Sequence, residues 1–328
     1  MALACTELLG RIWFPHPGRF VADVDHWPEP HQTWEFNGDG LRDRREPEDV
    51  SDETFNVLFL GDSFVFGSKL TARESLPARF EALMRQRHPD LDLRAINFGW
   101  VSSSPLLSLR RLKLLGRRYH PDLVFLFVDM TDFREDLRYR HMLEGTRAFR
   151  FVRRVPFLTW ATEKVLARVS WLEPLHEVAY GYPSHRFFIT ESPPGKSRPF
   201  MGELRRNVEA IADFCRDELR VPFHVFVIPR HYQYSDRESP RSWERAYYVP
   251  LGPWAEEPFR WFDEMKREAD FGIHSLLPDF QATKVFPHCL EDDPHWNHAG
   301  TVIATEAVMR ICEEEGLIPP VAVARDAS

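Results

Sequence analysis

The chain runs to 328 residues and 38.6 kDa, too long for a disulfide-stapled mini-protein and suited to one large α/β domain or two smaller ones. Hydrophobic residues make up 43% and charged residues 28%, which excludes disorder over the whole length. A net charge of −8 and a pI near 6.0 lack the basic balance of a nucleic-acid binder, so no nucleic-acid partner is expected.

The N-terminal residues carry only a short apolar stretch, broken by Glu7 and ended by Arg11. That is neither a secretory h-region nor one of the windows of about 20 apolar residues that span membranes. A soluble, cytoplasmic protein is the expectation, with no membrane span. Residues 1–52 read as an extended arm packed on a core, rich in Pro, His, Asp and aromatics, with a turn at Asn37-Gly38-Asp39-Gly40. His16, His26 and His31 match no ligand spacing. The four cysteines, Cys5, Cys215, Cys289 and Cys312, are too dispersed for zinc and fit free, mostly buried thiols. No metal and no cofactor is expected.

Regular structure begins with Asn56–Leu60, a continuous apolar run ending at Gly61, as in a buried parallel strand. Helical period follows over Glu74–Arg87, then a strand over Leu93–Phe98 and a helix over Leu106–Tyr119. Leu123–Val128 is the strongest strand. Val221–Ile228 and Gly272–Leu277 supply two more, each preceded by a helix, and a last helix covers Ala299–Glu315. Strands alternating with helices imply a three-layer α/β/α sandwich with a flavodoxin-like parallel sheet of about five strands, spanning 53–328. Residues 138–198 break the pattern and read as an insertion or lid. The arginine-rich stretch Arg147–Arg168 within it is expected to be a solvated amphipathic segment, with an anionic membrane surface as the alternative.

Ligands of an open parallel sheet collect beyond the carboxyl ends of its strands, which directs attention to Gly61-Asp62-Ser63. A serine there is either a helix cap or a nucleophile beside backbone amides able to hold developing charge. A nucleophilic serine needs a base, and Glu291-Asp292-Asp293-Pro294-His295-Trp296-Asn297 offers His295 just before the last helix. Asp292 or Asp293 would set its tautomer. No Walker loop, Gly-x-Gly-x-x-Gly or His-Glu-x-x-His sequence occurs.

Taken together, these blocks resemble the SGNH (GDSL-type) hydrolases over about residues 37–317. The matching segments are Asn37-x-x-Gly-Leu-Arg42, Gly61-Asp62-Ser63-Phe64-Val65-Phe66-Gly67, Ile96-Asn97-Phe98-Gly99, and Asp293-Pro294-His295-Trp296-Asn297-His298-Ala299-Gly300. The resemblance implies Ser63 as nucleophile, His295 as base, and an oxyanion hole built on the amides of Ser63 and Gly99. The third block departs from the family: Val128-Asp129-Met130-Thr131-Asp132 has Thr131 where the family's asparagine donor falls. Thr131 becomes a candidate third donor, and Asp129 and Asp132 are expected to order the loop through backbone amides. The His-Trp-Asn ending is similar to relatives in polysaccharide O-acetylation, whose Asp-x-His spacing favours Asp293 as the acid; Asp292 is the alternative. Trp100, Trp296 and Arg230 are candidate substrate contacts, against packing roles for all three. The activity implied is a serine esterase removing a small O-acyl group, most plausibly acetyl, from a carbohydrate or carbohydrate-bearing metabolite. An O-acetyltransferase using the same triad and a non-catalytic binding protein on the same fold are the alternatives, and the expected partner is a small-molecule or saccharide ester.

Overall fold

The structure, a computed structural model, describes residues 2–13, 35–144, 176–177 and 180–318. In chain order its elements are α1 (Ala2–Trp13), β1 (Phe55–Leu60), α2 (Ser63–Phe66), α3 (Leu76–Arg87), β2 (Leu93–Asn97), α4 (Pro105–Leu115), β3 (Leu123–Val128) and α5 (Asp132–Leu143). There follow α6 (Phe188–Glu191), α7 (Pro194–Ser197), α8 (Gly202–Phe214), β4 (Phe223–Val227), α9 (Glu257–Lys266), β5 (Gly272–Ser275), α10 (Leu277–Ala282) and α11 (His298–Glu314).

All five strands are parallel, in the order β2-β1-β3-β4-β5. Side chains alternate across them and feed two cores. On one face Leu58, Leu60, Val124, Leu126, Val225 and Val227 pack against α4, α5, α8 and α9. On the other, Val57, Phe59, Phe125, Phe127 and Phe226 pack against α3, α10 and α11. Because both faces are covered, β1 and β3 are apolar at nearly every position, as parallel strands must be. This is the three-layer α/β/α sandwich expected from the alternation of strands and helices.

Several boundaries differ from the sequence reading, for local reasons. Helix α3 starts at Leu76 because Thr71 and Glu74 close a separate 3₁₀ turn over Ala72–Glu74, through the Thr71 amide and the Glu74 carboxylate at 3.0 Å. Pro105 opens α4, and Gly116–Tyr119 tightens into a 3₁₀ turn after Leu115. The expected arm begins with a helix: the run of Ala, Leu and Glu in α1 has high helix propensity, although it is too short for a membrane span. No helix among the described residues is long and apolar enough to cross a membrane. The expected insertion begins inside α5 and ends with the short helices α6 and α7; the Arg147–Arg168 stretch and His16, His26 and His31 lie outside the described residues. Cys215, Cys289 and Cys312 are buried free thiols and Cys5 is an exposed one.

The Asn37–Arg42 stretch acts as a strap. The Asn37 side chain accepts from the amides of Asp39 and Leu41 and donates to the Arg45 carbonyl and the Tyr119 hydroxyl. Arg42, buried, donates to the carbonyls of Phe66, Gly67 and Leu70, tying the strap to the end of α2 and the turn that follows it.

Candidate active site

The strand order reverses between β1 and β3, and Ser63 sits at that switch point, three residues beyond the end of β1. Asp62 caps the turn, its carboxylate accepting the Phe64 amide at 2.9 Å, so Ser63 is the first residue of α2. The Ser63 hydroxyl lies 2.7 Å from His295 Nε2. The other ring nitrogen, Nδ1, contacts Asp293 Oδ1. The chemistry of the set assigns the protons: Ser63 donates to Nε2, and Nδ1–H donates to the carboxylate. Burial pushes the Asp293 carboxyl up, but the hydrogen bond and charge of His295 outweigh it and hold it below the usual carboxylate range. Asp292, the alternative acid, is exposed, and it is Asp293 that contacts the ring.

The loop that carries His295 is built from both ends. Leu290 N bonds to His295 O at 3.0 Å and Asn297 N to His288 O at 2.8 Å, closing a narrow hairpin. Asn297 caps α11 by accepting the Gly300 amide. Trp296 anchors the hairpin from below: it is 2% exposed, stacks on Phe280 at 5.4 Å and meets the Phe64 ring edge-on at 4.7 Å. A segment invisible to local sequence reading braces the same loop. Ser239 Oγ donates to the carbonyls of Leu290 and Asp293, and Glu238 accepts the amides of His288 and Cys289.

Three candidate substrate contacts turn out to be packing residues. Trp296 is the hairpin anchor just described. Trp100 is 4% exposed, packed on Phe66 and Phe36 with the Arg111 guanidinium over its ring. Arg230 is fully buried: it grips Asp129 through two hydrogen bonds of 2.7 and 2.6 Å and Glu244 through one of 2.9 Å, with the Phe64 ring beneath it. Aromatic and charged side chains beside a motif are thus used to hold it, because the loops that carry the reactive groups need a core of their own.

The proposed oxyanion donors also differ from expectation. The Thr131 hydroxyl, buried, donates to Asp129 Oδ2 at 2.8 Å. A short β-hydroxyl reaches back two residues to the carboxylate that Arg230 holds in place, where a longer amide would reach outward. The Gly99 amide donates to the side chain of its neighbour Asn97 at 3.0 Å. Gly99 is required there for space, since a Cβ would lie 2.4 Å from the Phe66 nitrogen. The Ser63 amide, in the first turn of α2 where main-chain N–H groups lack intrahelical acceptors, is the remaining member of the set. Asp129 and Asp132 do order their loop, Asp132 accepting the Asp129 amide and Asp129 that of Thr131.

Behind the nucleophile the carboxyls are tuned apart. Asp129 stays ionised because the Arg230 charge overcomes its burial. Asp62 is raised well above the usual range by burial and then by the charge of Asp129, and Asp132 by burial and the charges of both. The Asp62 carboxyl lies 3.5 Å from the Ser63 hydroxyl.

Thr131→Val is therefore expected to leave turnover within about threefold while lowering unfolding free energy by about 1.5–3 kcal/mol, the worth of a hydrogen bond to a charged group. Denaturant unfolding alongside ester hydrolysis checks both halves; a tenfold rate loss without destabilisation would return Thr131 to the oxyanion hole.

Ser63 thus follows β1, the Asn97–Gly99 block closes β2, and Asp293 and His295 precede the last helix. Solved structures similar to the chain include TesA (13% identity, 80% of this chain and 99% of that one, TM-score 0.47). A catalytic variant of the acetylxylan esterase Axe2 from Geobacillus stearothermophilus is similar at 14% identity, 78% and 93% coverage and TM-score 0.42. A member of the lipolytic G-D-S-L family from Veillonella parvula is similar at 10% identity, 79% and 98% coverage and TM-score 0.43. No protein-family model and no curated protein sequence matches the chain.

Proposed function

We propose that the chain is a serine ester hydrolase of the SGNH type that removes a small O-acyl group, acetyl on a carbohydrate or carbohydrate-bearing metabolite. One observation carries the reading: the hydroxyl of Ser63, 2.7 Å from His295 Nε2, in line with a carboxylate on Nδ1. A serine is activated in this way by an adjacent base whose tautomer is held from behind. The acetyl-carbohydrate specificity rests on the resemblance of the His295-Trp296-Asn297 ending to O-acetylation enzymes.

In this mechanism Ser63 Oγ attacks the ester carbonyl as its proton passes to His295 Nε2. The tetrahedral oxyanion forms beside the amino end of α2, with the Ser63 amide as its donor in this reading. Collapse breaks the acyl–oxygen bond, and His295 returns the proton to the departing alcohol. Water then attacks the acyl-Ser63 ester, His295 taking and returning a proton once more, and the carboxylic acid leaves. Asp293 stabilises the imidazolium in both halves.

A fluorophosphonate probe should label the wild-type chain on Ser63 and leave Ser63→Ala unlabelled. Release of p-nitrophenol from p-nitrophenyl acetate should follow the same pattern. Adding sugar acceptors to the assay separates hydrolysis from acyl transfer. An unlabelled, inactive wild type would sink the catalytic reading and leave a binding protein.

A further inference from the structure

A second group of chemically competent side chains lies away from Ser63, His295 and Asp293, at the start of β4 and within β5. His224, on β4, and His274, on β5, point to the sheet face covered by α11, and Glu315 follows the last residue of that helix. His224 Nδ1 lies 3.1 Å from His274 Nε2, and His274 Nδ1 lies 3.4 Å from a Glu315 carboxylate oxygen. One donor atom from each of the three lies within 4.8 Å of the other two.

Space has been made for this group. A Cβ on Gly272 would sit 2.1 Å from His224 Nδ1 and 2.8 Å from His274 Nε2, so the two imidazoles occupy the room that any other residue would fill. A cleft of about 800 Å³ opens beside His224 and Glu315, lined also by Gly272, Phe271, Arg216 and Arg220. Of the cations nearby, Arg216 is already paired with Asp213, Asp217 and Asp270.

We propose that His224, His274 and Glu315 form a binding site for a divalent zinc ion, completed by water from the cleft. Two imidazoles, one carboxylate and one water are an established zinc donor set, at about 2.0–2.2 Å from the metal. Donors at those lengths in a tetrahedron stand about 3.3 Å apart. The His224–His274 separation already matches that edge. Glu315 meets the other nitrogen of the His274 ring, Nδ1, so an ion on Nε2 requires its side chain, at the end of a helix and 43% exposed, to swing to the Nε2 side. The ion would tie β4, β5 and the end of α11 together on the edge of the sheet opposite Ser63, as a structural rather than a catalytic centre. The three residues are 50 and 41 positions apart in the chain, so no spacing motif announces them.

The full chain, stripped with a chelator and dialysed, is titrated with Zn²⁺ by calorimetry and by thermal unfolding. The expected result is one equivalent bound with a rise in Tm, an affinity at least tenfold weaker in His274→Asn and in Glu315→Gln, and ester hydrolysis unchanged by chelation. Should His274→Asn fail to fold, Glu315→Gln, a change at a partly exposed side chain, decides alone. A wild type that takes up no stoichiometric zinc, or a Glu315→Gln variant that binds it as tightly, overturns the proposal; either leaves the esterase reading untouched, since that rests on Ser63.

Discussion

Asp293→Asn is expected to lower kcat for a small acyl ester by about 10⁴, while Asp292→Asn leaves it within about threefold. The reason lies in the proton on His295 Nδ1. Asp293 accepts that proton and, from its Oδ1, also accepts the His295 amide at 3.0 Å, so one carboxylate fixes both the tautomer and the position of the ring. An asparagine keeps the shape but offers an N–H where a lone pair is needed. The ring then turns its lone pair towards residue 293 and its N–H towards Ser63, which loses its base. KM for the ester should change little, because Asp293 lies behind the histidine. Asp292 is exposed, one residue too early to reach the ring, and its loss removes only a surface charge. Steady-state kinetics on the two variants make the comparison; equal activity of Asp293→Asn and wild type, with the loss transferred to Asp292→Asn, would reverse the assignment.

The largest stability effect is expected at a residue that makes no contact with the triad's reactive atoms. Arg230→Met should lower unfolding free energy by about 3–5 kcal/mol, the cost of stranding buried charges after one partner is removed. Two carboxylates depend on this guanidinium, Asp129 and Glu244, and both are 1% exposed. Glu244 keeps a second charged partner in Arg186, at 2.9 Å, whereas Asp129 keeps no cation, holding the Thr131 hydroxyl and amide and its contact with Asp62. Asp129 is therefore the group that suffers. Its proton affinity must rise, and the electrostatic balance it shares with Asp62 and Asp132 behind Ser63 is upset. Adding Asp129→Asn to Arg230→Met should recover a large part of the stability, because the stranded charge is then absent; no recovery in the double variant would mean that the arginine acts by packing on Phe64 and Phe187 instead. Denaturant unfolding of wild type and both variants measures the difference.

The amino-acid sequence alone determined the layered α/β architecture and pointed to the three residues proposed as a triad, for reasons that are local. Strands β1 and β3 are covered on both faces and so appear as unbroken apolar runs. Ser63 follows the first of them directly, and Asp293 and His295 are two residues apart, so the chain itself holds them within reach of one another. Only the tertiary structure decided what the neighbouring residues do. Arg230 and Trp296 sit beside the motifs in sequence just as substrate contacts would, but Arg230 meets its acid 101 positions away and Trp296 finds Phe280 on another element. Thr131 and Gly99 have the chemistry of oxyanion donors, yet the direction of a hydroxyl or an amide depends on which acceptor the fold brings nearest, and here those are Asp129 and Asn97. Ser239 supports the triad loop from 51 residues away, across a gap that no periodicity spans. Residue type and spacing report which groups can react. The direction in which each polar group is spent follows from burial, since every buried donor and acceptor must find a partner among groups the chain brings together only when it folds.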